Sequence, residues 1–257
     1  MAFTRIGHKG ADAHVPGNTI ASFEKAVEIG VDVIELDVLW LEDGHPDSDP
    51  KHRSPLVVAH DWVAAAAREQ LTLDDALEAF TRAPLDRVVI NLDVKLPGRE
   101  DELVASVHRH DLAGRITIST METSTLKRIG ELAPEISLGW TVPRVTKDWL
   151  SKPAWMKPIL LLGLATVRRR MPTLVRRGIP ELQVEAIWAF YGVVTPRLVK
   201  VTKDAGVKLN VWTIDDPEII DRMLELGADG IVSNDPELLN PNRVTSPGDP
   251  DFEVPGE

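Results

Sequence analysis

Two acidic triplets define the chemistry open to this chain. In Ile34-Glu35-Leu36-Asp37-Val38, the two-residue period of a strand puts Glu35 and Asp37 on one side and three aliphatic side chains on the other. Two carboxylates buried together need a cation or a proton to offset their repulsion. A hard divalent ion with oxygen ligands meets that need better than a soft metal. In Val89-Ile90-Asn91-Leu92-Asp93-Val94-Lys95, a second apolar strand carries Asn91, Asp93 and Lys95 on one face. Asp93 could complete a metal site, with Lys95 as a point charge for a phosphoryl oxygen. A salt bridge between Asp93 and Lys95 is the plainer alternative.

Two histidines stand at comparable places. His8 follows Ile6-Gly7, and His60 follows Leu56-Val57-Val58-Ala59. Imidazole moves protons near neutral pH and can attack phosphorus. Lys9 and Gly10 lie where a phosphate beside His8 would be held. Trp212, ending the apolar run from Val207, is either a platform for substrate or a packed aromatic at a rim. Asn234 follows Ile231-Val232-Ser233 and either hydrogen-bonds substrate or organises a closing turn. Pro16-Gly17-Asn18 reads as a turn, with Asn18 capping the first helix.

The elements that must position these groups alternate along the chain. Strands are expected at 4–8, 33–39, 56–60, 87–94, 115–119, 136–140, 181–186, 207–212 and 229–233. Helical patterns fill 18–29, 72–82, 100–110, 122–132, 195–205 and 216–226. Gly30 and Gly227 stop two of them, and Thr72 with Asp75 forms a capping arrangement. The rhythm predicts an α/β fold of parallel strands covered by helices, read as a single TIM-type (β/α)₈ barrel with 56–60 as a hairpin partner outside it. An open doubly wound sheet is the alternative, with no glycine-rich dinucleotide fingerprint behind it. The barrel is expected over 1–239, with 240–257 as an extended or disordered tail and 42–55 as a polar loop. Residues 155–178 are expected to make an excursion between the fifth and sixth barrel strands, packed or lid-like, or in transient contact with lipid.

The 257 residues suit one such barrel. A net charge of -11 argues against nucleic acid as a partner. The absence of cysteine removes disulfides, thiol catalysis and zinc-thiolate sites. The apolar run near residue 160 is interrupted by Lys157 and Arg168, far short of a transmembrane segment. Without an apolar leader in residues 1–7, the expected location is cytoplasmic.

Taken in order, Gly7-His8-Lys9-Gly10, Pro16-Gly17-Asn18-Thr19, Glu35-Leu36-Asp37, His60-Asp61, Asp93-Val94-Lys95, Val211-Trp212-Thr213 and Asp229 to Pro236 resemble the glycerophosphodiester phosphodiesterases. The resemblance spans roughly residues 4–239. It implies a TIM-type barrel, a divalent cofactor (Mg²⁺ or Ca²⁺), Glu35, Asp37 and Asp93 as metal ligands, and His8 and His60 as the catalytic pair. It also implies phosphate contacts from Lys9 and Lys95. Lys9 falls where the family commonly has Arg, Gly17 where it has an acid, Asp93 where it has Glu, and Asn234 where Asp is common. The stretch from His60 to Thr72 lacks the large insertion many members carry. The phospholipase D-type sphingomyelinases D share that feature and an Asp as third ligand. The expected activity is hydrolysis of a glycerophosphodiester to an alcohol and glycerol phosphate. The alternatives are lysophospholipase D-like cleavage of a lysophospholipid, or a catalytically weak phosphodiester-binding protein.

Overall fold

The computed structural model of the protein describes residues 3–41, 54–67, 69–144 and 157–240, with 157–162 as backbone alone. Most of the polar loop, 42–53, and the tail from 241 lie outside the described residues. The strands are β1 (Thr4–Gly7), β2 (Val33–Leu39), β3 (Val57–Val58), β4 (Val89–Val94), β5 (Ile116–Thr120), β6 (Ser137–Val142), β7 (Ala186–Phe190), β8 (Lys208–Trp212) and β9 (Gly230–Ser233). All but β3 pair in parallel, each with two neighbours, and the β1–β2 and β1–β9 pairings close the ring. β3 runs antiparallel to the end of β2, as the hairpin expected beside an eight-stranded TIM-type barrel.

Alternation along the strands sorts side chains into two separate cores. Outward residues such as Ile34, Leu36, Val38, Ile90 and Leu92 pack under Phe23, Leu77, Phe80 and Leu103 of the surrounding helices. Inside the barrel a small plug of Ile6, Ala186, Trp188 and Val232 fills the volume. The middle inward positions of β2 and β4, Glu35, Asp37, Asn91 and Asp93, are polar and buried. Burying such residues is costly unless they are paired, which makes these two strands the chemical wall of the barrel.

The helices are α1 (Ile20–Ile29), α2 (Trp62–Ala66), α3 (Leu73–Phe80), α4 (Glu100–Arg109), α5 (Thr123–Leu132), α6 (Lys157–Leu182), α7 (Pro196–Asp204) and α8 (Pro217–Leu226). Thr72 caps α3 by accepting from the Asp75 N–H at 3.1 Å, and Gly30 and Gly227 end α1 and α8 in the left-handed conformation. The cap of α1 is Thr19, which accepts from the Ser22 N–H at 3.1 Å. This corrects the expectation for Asn18, whose φ of 57° turns its amide away from the helix.

Two further expectations change. The strand predicted at 181–186 lies at Ala186–Phe190. Leu182, Val184 and Ala186 are buried at every second position and so imitate a strand, but Leu182 still belongs to α6 and Gln183, at φ 51°, ends that helix. The predicted excursion, from 157 onward, is the 26-residue helix α6, the outer helix between β6 and β7. Met171, Val175 and Leu182 hold its second half on the barrel. A Cβ on Gly178 would come within 2.3 Å of the Trp140 ring, so glycine is what lets the helix settle there. No helix among the described residues is long and apolar enough to cross a membrane.

Candidate active site

The inward acids lie on adjacent strands in direct register, with Asp37 beside Asp93 and Glu35 beside Asn91. Oxygens of Glu35, Asp37 and Asp93 fall within 4.8 Å of one another, and all three residues are buried. Like charges opposite each other in a sheet repel, so this arrangement needs compensation. Part comes from Lys95, whose ammonium lies 2.5 Å from Asp37 Oδ1 and 2.5 Å from Asp93 Oδ2. Three carboxylates facing one ammonium leave an excess of negative charge among hard oxygen donors. That donor set fits a divalent cation.

The charges act on one another accordingly. Burial pushes the Glu35 carboxyl up, the Asp37 charge adds to it, and Glu35 stays well above its ordinary value. Burial would raise Asp37 too, but Lys95, His60 and His8 pull it far below the usual carboxylate range. Burial opposes the charge on Lys95, and Asp37, Asp93 and Glu35 more than reverse that, holding the ammonium above its ordinary value.

Neutral groups fix the acids in place. Asn18 Nδ2 donates to Asp37 Oδ2 at 2.8 Å, while its Oδ1 accepts from the Asp37 N–H at 3.1 Å. Hydrogen bonds to a charged partner contribute about 1.5–3 kcal/mol each. Ser119 donates to Asp93 Oδ1 at 2.7 Å and Thr141 to the same oxygen at 3.3 Å. The Lys9 N–H donates to Glu35 Oε2 at 2.9 Å, tying the loop after β1 to the acid cluster.

His8 is held from behind. Its Nδ1 sits 2.5 Å from Asn234 Oδ1, and Asn234 Nδ2 donates to Asp215 Oδ2 at 2.6 Å. Asp215 also accepts from the Asn234 backbone N–H and the Ser233 hydroxyl, both at 2.8 Å. Burial alone would raise Asp215, yet these donors keep it below its usual value and therefore an acceptor. The Asn234 amide must then turn its NH₂ toward Asp215 and its oxygen toward His8, which places a proton on Nδ1. Nε2, 3.9 Å from Glu35 Oε2, is left bare on the side of the acids. Burial lowers the His8 pKa, against a partial counterweight from Asp37, and favours the neutral ring.

His60 is different. It stands beyond β3 with its side chain 54% exposed, against 20% for His8, and its Nδ1 lies 3.2 Å from Asp61 Oδ2. Asp61 Oδ1 caps α2 through the Ala64 N–H at 2.8 Å. The Ala64 backbone N–H, with the His60 ring, holds Asp61 below its usual range. Trp212 lies across the ring, where its Nε1 donates to the Trp188 carbonyl at 3.0 Å and its ring stands 5.6 Å from Phe190.

The fold thus gathers His8, Lys9, Glu35, Asp37, Asp93, Lys95 and Asn234 on one side of the mouth. It sets His60 at the edge and Trp212 on β8, across the ring from β4 and next to β9. Asn18, Ser119, Thr141 and Asp215 were not foreseen as part of this cluster.

The Glycerophosphoryl diester phosphodiesterase family model matches residues 8–61 and 72–238. The chain belongs to this family. A glycerophosphodiester phosphodiesterase of Caldanaerobacter subterraneus subsp. tengcongensis is 28% identical over 266 residues, covering 91% of this chain and 95% of its own. Among solved structures, a glycerophosphodiester phosphodiesterase from Parabacteroides distasonis superposes with a TM-score of 0.67 at 21% identity, over 90% of this chain and 92% of that one. An Oleispira antarctica phosphodiesterase in complex with the product sn-glycerol-3-phosphate gives 0.63 at 19% identity, over 91% and 94%. Membership in the glycerophosphoryl diester phosphodiesterase family makes the protein a phosphoric diester hydrolase. The cluster of buried carboxylates is one that can coordinate a divalent metal.

Proposed function

We propose that the protein hydrolyses small glycerophosphodiesters at this mouth, releasing an alcohol and glycerol phosphate, with Glu35, Asp37 and Asp93 as the ligands of a magnesium or calcium ion. The observation that carries the reading is the line Asp215–Asn234–His8, which aims a bare imidazole nitrogen at the buried acids. A bound ion supplies Lewis-acid stabilisation of charge developing at phosphorus.

Lys9 and Lys95 bind phosphoryl oxygens from two sides of the acid cluster. His8 Nε2 takes the proton from the attacking oxygen, either a water or the neighbouring hydroxyl of glycerol. The imidazolium formed is stabilised through Nδ1–H by Asn234, which acts here as a positioning residue and not as a substrate contact. Asp61 faces Nδ1 of His60, which leaves Nε2 as the nitrogen that would serve the leaving alcohol oxygen. Trp212 gives the leaving alcohol an apolar wall. All these groups fall within residues 8–234, and we assign the activity to the barrel, 1–239.

Lysophospholipid cleavage is favoured as a second reading by one observation. Between His60 and α3 the described chain builds only the five-residue α2, which leaves room at the mouth for a bulky substrate. Metal-loaded protein should be assayed by phosphorus NMR on glycerophosphocholine, glycerophosphoethanolamine and lysophosphatidylcholine. Glycerol phosphate from the first two supports the main reading. Choline from lysophosphatidylcholine alone moves the assignment to the second, and no turnover of any of them rejects both.

A further inference from the structure

We propose that Asp12 is the positioning residue for the Lys9 ammonium, and that position 17 is glycine because this carboxylate occupies its side-chain space. The inference rests on the reading of Lys9 as a phosphate-binding group.

The backbone of Lys9 is pinned. It lies at φ 52°, its N–H donates to Glu35, and its carbonyl accepts from the Asn18 N–H at 2.9 Å and the Ser22 hydroxyl at 3.0 Å. The side chain is not pinned by those bonds. A lysine carries its charge on a flexible four-carbon stem, without the preset fork of a guanidinium. A fixed anion beside the ammonium supplies the missing constraint.

Asp12 is such an anion. Its Oδ1 accepts from the Gly17 N–H at 2.7 Å, which orients the carboxylate, and its Oδ2 faces Lys9 Nζ at 3.4 Å. Nothing larger than glycine fits at 17 while this holds. A Cβ there would lie 2.5 Å from Asp12 Oδ1, 2.7 Å from Asp12 Cγ and 2.7 Å from Lys9 Cβ. A side chain at 17 and the Asp12–Lys9 pair therefore exclude each other. Asp12 sits where it braces both the turn into Asn18 and the ammonium that meets substrate.

A double-mutant cycle on the full, metal-loaded chain separates the two braces. It reads kcat, KM for glycerophosphocholine and the inhibition constant of inorganic phosphate for Lys9→Ala, Asp12→Asn and the pair. Asp12→Asn keeps an oxygen for the Gly17 N–H and removes the charge, so the fold is retained and the melting temperature is expected to hold. It should raise KM and the phosphate inhibition constant about fivefold with little change in kcat, and add nothing in the Lys9→Ala background. Gly17→Ala should weaken phosphate in the same way by displacing the carboxylate. The proposal is overturned if Lys9→Ala weakens phosphate while Asp12→Asn does not, or if the two effects multiply. If Lys9→Ala itself leaves phosphate binding unchanged, the phosphate-binding reading of Lys9 falls as well.

Discussion

The two sides of the barrel mouth are built by opposite rules. On the side of β1, β2 and β4 each of these polar side chains has a named partner: Asn18 and Lys95 for Asp37, Ser119 and Thr141 for Asp93, the Lys9 N–H for Glu35, Asn234 for His8. Across the ring from β2 and β4, β7 and β8 end in Phe190 and Trp212, and the Phe190 ring stands 4.5 Å from that of Tyr191 and 5.6 Å from that of Trp212. Charges in a poorly solvated wall are tolerable only when individually satisfied, so that side is specified atom by atom. Aromatic faces offer area with weak directional demand, so the other side can receive alcohols of differing shape. Chemistry should fail sharply on the first side and substrate preference should drift gradually on the second.

His8→Ala tests the contrast most severely. It should reduce kcat/KM by roughly a thousandfold, as expected for loss of a general base, with circular dichroism unchanged. A loss under tenfold would remove His8 from the chemistry. Asn234→Ala leaves the imidazole in place without its anchor. Misplacement of a reacting group can cost about a hundredfold in kcat, and that is the expected fall, with KM nearly constant.

The pH profile reads the same side by a different route. Because burial lowers the His8 pKa from 6.5, the neutral base persists as pH falls, and a bound cation would push in the same direction. The acid limb of kcat/KM should therefore break below 6.5. A break at or above that value would point to another group. Glu35 has the opposite sign, since its raised pKa means that cation loading must displace a proton. Calorimetry in buffers of different ionisation heat should show proton release that fades as pH rises. Release independent of pH would exclude Glu35 from the ligand set.

The smallest effect belongs to the aromatic side. Trp212→Ala should cost about 1 kcal/mol, several-fold in KM, by an amount that varies with the leaving alcohol while kcat holds. Equal losses for every diester would show that the ring only packs.

What could be read from the sequence follows the same division. Glu35, Asp37 and Asp93 stood out because strand alternation isolates a charge against an apolar face, and Thr72, Gly30 and Gly227 announced helix ends by local chemistry. Asn18 was misread because its neighbourhood in sequence is a turn before a helix, whereas its partner Asp37 is nineteen residues away. Asp215 meets His8 only through Asn234 once the barrel closes, and no local pattern encodes that meeting. Ser119 and Thr141 are common strand residues until their register against Asp93 is known. The end of α6 deceived for a different reason: alternate burial at Leu182, Val184 and Ala186 arises from a helix terminus, a link and the first residue of β7, not from one strand.

The ammonium between Asp37 and Asp93 has a consequence for the life of the chain before it meets its ion. Lys95 is an internal counterion, delivered by the same strand that brings the third acid. Barrel closure therefore does not have to wait for metal from solution, and metal capture becomes an exchange of partners in a finished fold. A chain with methionine at this position would lose that independence. For it a chelator is expected to lower the melting temperature as well as activity, whereas for the natural chain it should lower activity alone.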